Sequence, residues 1–150
     1  MLGNVFKLVL SCLIYYFSTD HTNIAFLSLK ALGCNPVALG MESGRISDSQ
    51  ISASSQYQTS MAAAHGRLNF QEEGAGWASG TPLANQWFQI DLNNQDTSVM
   101  KVATQGRTHD NGYQYVKSYK LQSSDDNVNF RYYMEQGQTT DKVCRFKFTL

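Results

Sequence analysis

Hydrophobic and polar positions alternate along most of this chain, where a helix would repeat every three or four residues. In Trp87-Phe88-Gln89-Ile90-Asp91-Leu92, the side chains of Phe88, Ile90 and Leu92 share one face and Gln89 and Asp91 the other. A period of two marks a strand with one buried face. Tyr115 to Ser123 repeats it, with Tyr115, Tyr119 and Leu121 on one side and Val116, Ser118, Lys120 and Gln122 opposite. Val99 to Gln105 is mixed and partly β-branched, and reads as a strand covered on both faces. Asp125-Asp126-Asn127 supplies turn chemistry before Phe130-Arg131-Tyr132-Tyr133, and Cys144 to Leu150 alternates strictly. Outside the N-terminal region no long window keeps a helical apolar stripe, so the chain is expected to be all-β, a sandwich or a barrel.

The N-terminal region follows a different pattern. Lys7 is the only charged side chain among the first nineteen residues, and a ten-residue apolar run from Leu8 to Phe17 follows it. A basic start with an apolar run too short to span a bilayer is the pattern of a secretory leader. A second apolar patch, Ile24 to Leu29, is separated from the first by Asp20, His21 and Asn23. Residues 1–33 are therefore expected to be a signal peptide or leader and 34–150 the folded domain, which implies a secreted, extracellular protein. Cys12 would leave with the leader, and Cys34 and Cys144 would remain as a possible disulfide.

Twelve Lys and Arg balance twelve Asp and Glu in 150 residues, giving zero net charge and a pI near 6.8. A domain that grips nucleic acid through many phosphates is usually strongly basic, so no nucleic-acid partner is expected. No nucleophile elbow, zinc-protease helix or phosphate-binding loop occurs, and His21, His65 and His109 are scattered. No catalytic residues and no enzyme activity are expected, nor a structural metal site, since no Cys/His cluster is present. Three irregular stretches separate the strands: Ser55 to Gly66, Glu73 to Gln86 and Gly106 to Gln114. Each carries an apolar or aromatic residue among small polar ones: Tyr57 and Met61, Trp77 and Leu83, Tyr113. Long loops on a rigid β scaffold are where binding usually resides.

Several blocks resemble one family. Leu39 to Ile46, Asp48 to Ser55, Arg67-Leu68-Asn69, Gln86 to Leu92, Ala103 to Arg107, Tyr115 to Leu121 and Ser124-Asp125-Asp126 resemble, in order and near spacing, a discoidin domain. This is the C-type domain of coagulation factors V and VIII, and the Ser54-Ser55-Gln56-Tyr57 region is neuropilin-like. The resemblance implies a jelly-roll β barrel of the galactose-binding type that binds its ligand through loops at one end. It implies an extracellular adhesion module for a cell-surface or matrix glycan or protein, with anionic phospholipid as a further ligand of the family. Mapped onto this chain, the binding loops carry Tyr57, Met61, Trp77, Arg107, Thr108, His109 and Tyr113. Trp77 corresponds to a position that often supports its loop from below.

The family pattern stops after Val143, so the barrel is expected to lack its closing C-terminal strands. That departure motivates the alternative that the chain is a truncated isoform or gene-model fragment of a larger receptor or matrix protein, with no activity of its own. The loop Ser79 to Ala84 has no carboxylate for a basic ligand. No cofactor is implied. Some members bind calcium near the barrel mouth, but Asp125 to Asn129 lacks the central glycine and closing glutamate of an EF-hand, and a hairpin turn is expected there.

Overall fold

The computed structural model describes residues 5–15, 24–28, 37–70, 76–93, 99–109 and 112–145. Among these residues nine strands carry the fold: β1 (Val5–Tyr15), β2 (Ile24–Ser28), β3 (Ile51–Ala53), β4 (Trp87–Asp91), β5 (Lys101–Gln105), β6 (Arg107–His109), β7 (Gly112–Ser124), β8 (Arg131–Tyr132) and β9 (Val143–Arg145). The helical content of the described residues is three short 3-10 turns, at Asp48–Gln50, Thr59–Met61 and Ala63–Gly66. Among the described residues the molecule is all-β, and its two sheets do not close into a full barrel.

The larger sheet runs β3-β4-β1-β7-β6, with β8 and β9 also pairing to β7. One edge of β7 meets β1 from Gln114 to Ser124, while β6, β9 and β8 pair with it at Gly112 to Gln114, Ser118 to Lys120 and Gln122 to Ser123. The smaller sheet is the antiparallel pair β2–β5. Alternation decides which residues go inward. Phe88 and Leu92 at β4, Tyr119 and Leu121 on β7, Ile46, Ile51 and Cys144 form the buried core. Val102 of β5 and Trp77 pack against that cluster. Leu121, central in β7, is 0% exposed. Burying a leucine completely contributes about 1.5–3 kcal/mol.

Gln89 departs from the polar-out expectation. It is buried because the turn after β7 covers the outer face of β4, and its Nε2 donates to Asn127 Oδ1 at 2.9 Å. The turn itself matches the sequence reading. Asp126 accepts hydrogen bonds from the backbone of Asn129 and Val128, from Asn129 Nδ2 and from the Ser124 hydroxyl. Asn127 adopts a left-handed φ of 58°, which asparagine tolerates well. Asp48 pairs with Arg67, and Arg45 donates to the Ala38 carbonyl, so these two charges near the domain start serve separate contacts.

The apolar N-terminal runs supply β1 and β2. β1 lies between β4 and β7, paired to both.

Candidate functional site

Strand register places the three irregular stretches at one end of the larger sheet. β3 runs into the first loop after Ala53, which aligns with Phe88, and the second loop enters β4 at Trp87. Trp87 aligns through Val9 with Lys120, and β7 begins at Gly112, so the β6–β7 hairpin projects beyond the same end.

The first two loops are bonded into one unit. The Ser54 backbone N–H donates to the Trp87 carbonyl at 2.9 Å, and the hydroxyls of Ser54 and Ser55 both donate to Gln86 Oε1, at 2.8 and 2.7 Å. Farther out, Tyr57 N–H donates to Ala78 O, Ala78 N–H to Met61 O, and Gly80 N–H to the Ser55 hydroxyl. Trp77 fixes the unit from beneath. Its Nε1 donates to Ser55 O at 2.9 Å and its ring tilts against Phe88 with centroids 5.5 Å apart. His65 is held inside the first loop by a 2.7 Å contact between Nδ1 and Ser60 O and by stacking on Phe70.

Two apolar side chains stand out from this platform: Tyr57 is 64% exposed and Leu83 66%. Residues 54–62 and 76–87 contain no Asp, Glu, Lys or Arg. These described residues therefore offer hydroxyls, amides and two apolar tips, and carry no charged side chain. Such a surface suits stacking and directional hydrogen bonding.

Met61 and Arg107, expected on the binding surface, are buried instead. Met61 is 4% exposed: its 3-10 turn carries it under the platform, where the second loop covers it and Ala78 N–H donates to its carbonyl. Arg107 is 8% exposed; Nε donates to Gln114 Oε1 at 2.7 Å, and its Cβ lies where a Cβ on Gly76 would approach to 2.9 Å. It thus links the third stretch to the second. Trp77 lies beneath the loop and does not reach its surface tips. Thr108 pairs with Tyr113 and His109 with Gly112 across the hairpin, and their side chains lie outside the described residues. Leu83 is the residue that the site assignment from sequence left out; its signal was an apolar side chain in a stretch, 76–87, without charged residues.

Cys144 is a free, buried thiol in this structure, and its expected partner Cys34 lies outside the described residues. Burial pushes its pKa up, and it faces Tyr119, whose phenol is raised for the same reason. Among the described residues no three His, Cys, Asp or Glu side chains gather as metal ligands, and no helix is long and apolar enough to cross a membrane.

Comparison with known proteins points one way. The F5/8 type C domain model matches residues 50–149. Lactadherin of Rattus norvegicus is 39% identical over 127 residues, covering 78% of this chain and 29% of that protein. The non-catalytic subunit of the venom prothrombin activator omicarin-C of Oxyuranus microlepidotus is 34% identical over 131 residues, 85% of this chain and 9% of its own length. Neuropilin-1 of Homo sapiens is 44% identical over 89 residues, 58% of this chain and 9% of its own. The chain thus spans under a third of the length of these relatives. No solved structure gives a significant match.

Proposed function

The chain belongs to the F5/8 type C, or discoidin, family, and we propose that it is a non-catalytic extracellular binding module acting through the platform of Tyr57 and Leu83. The observation that carries this reading is the pair of exposed apolar tips on two loops locked together by backbone and side-chain hydrogen bonds. A locked surface loses little conformational freedom on binding, which favours affinity. The ligand class follows from the absence of charge. Family ligands include phospholipid, glycans and proteins, and a charge-free platform favours a glycan or an uncharged protein segment over an anionic membrane. Tyr57 supplies a ring for stacking on a sugar face, and the surrounding Ser, Thr and Gln side chains supply donors and acceptors.

A second reading rests on the small share of each relative that the chain covers: the module works as one unit of a larger protein. Ligand class is tested by binding of the purified protein to a glycan array and to vesicles with and without phosphatidylserine. Salt-insensitive glycan or protein binding with no preference between the vesicles is expected. Selective, salt-sensitive sedimentation with phosphatidylserine vesicles would overturn the assignment.

A further inference from the structure

Between β4 and β7 lies a gap one strand wide, and among the described residues β1 alone fills it. Val5 to Val9 pair with β4 on one side, and Val5 to Tyr15 pair with β7 on the other. The register is consistent with the core. Leu8 falls in the row of Phe88 and Leu121, both buried, and Phe6 in the row of Ile90 and Ser123. On the neighbouring rows the match is specific. Val5 is 3% exposed, and Lys7 Nζ sits 4.3 Å from the Trp87 ring centroid and 4.5 Å from that of Phe130. A cation held against two aromatic rings adds a specific contact to the register that the buried rows set.

Without β1, β4 and β7 would present facing rows of unpaired N–H and C=O groups. Edges of that kind recruit any extended segment that can pair with them. We propose that the β4–β7 slot is a strand-receiving site and that residues 5–15 of the same chain are its resident strand, recognised by backbone pairing and by the Lys7 clamp. The domain then completes its larger sheet with its own N-terminal segment, which serves as a structural part of the folded module.

Hydrogen exchange on the full chain tests this directly. Amides of 5–15 are expected to be protected to within about tenfold of those in β4 and β7. Exchange of 5–15 within seconds, while 87–91 and 118–124 stay protected, would overturn the proposal. Leu8→Pro, which removes a ladder N–H in mid-strand, is expected to lower protection at least tenfold in all three strands. Unchanged protection of β4 and β7 in that variant would equally contradict it. Should Leu8→Pro fail to accumulate, Lys7→Met keeps every backbone bond of β1. It is expected to shift tryptophan emission by removing the cation from the Trp87 ring, and an unaltered spectrum counts against the slot.

Discussion

Trp77 joins two jobs in one side chain: its ring packs on Phe88 and its N–H satisfies the Ser55 carbonyl. Replacing it with phenylalanine keeps most of the packing and leaves that part-buried carbonyl without its donor. Trp77→Phe should lower stability by about 1 kcal/mol in urea unfolding, the usual net worth of such a bond. Asp126 works at the same scale. Hydrogen bonds from Asn129, then Val128 and Ser124, hold its carboxyl far below the ordinary carboxylate range. A depressed folded pKa means that the stabilisation is complete above the unfolded value of about 4 and is lost as pH falls below it toward the folded pKa. Thermal melting should therefore weaken progressively below about pH 4. Asp126→Asn, lacking the titrating group, should reduce that acid dependence, and an unchanged slope would contradict the assignment.

At the scale of elements, the loops owe their placement to close approaches that side chains would block. Gly76 has a φ of +123°, and a Cβ there would lie 2.9 Å from Arg107 Cβ. Gly44, at φ +77°, has open space around it. Both alanine variants strain the backbone, but only Gly76→Ala also pushes on Arg107 and the β6–β7 hairpin. Gly76→Ala should cost about 1–3 kcal/mol and exceed Gly44→Ala by a clear margin in thermal melts. Equal losses would mean that Arg107 yields freely. Element scale is also where sequence legibility divides. Alternation located β4 and β7 because each has one face on the core, and Asp126 announced its turn by chemistry that is local. Gln89 and Met61 were misplaced because their burial is decided by segments distant in sequence, the 125–129 turn and the second loop. The apolar run from Leu8 illustrates a third case. Hydropathy reads such a run as a leader, yet it carries no record of the two strands that pair with it here, since a short apolar run fits several environments equally well.

Across the whole molecule, the core and the platform are mechanically continuous. Phe88 touches Trp77, Trp77 holds Ser55, and Ser55 anchors Gln86 and Gly80, so the exposed tips ride on the same β4 strand that lines the core. Leu121→Ala, at the centre of that core, should destabilise the fold by about 2–5 kcal/mol, read by urea unfolding. Tyr57→Ala and Leu83→Ala should leave the melting temperature nearly unchanged, because neither side chain is packed inward. Stability and recognition thus reside in different side chains. The decisive measurement is made on the Tyr57→Ala/Leu83→Ala double variant, for melting temperature and for affinity toward the strongest glycan or protein found for the native chain. Affinity should fall at least about tenfold, roughly 1.4 kcal/mol, with melting held within a degree or two. Native affinity in the double variant would place recognition elsewhere on the molecule.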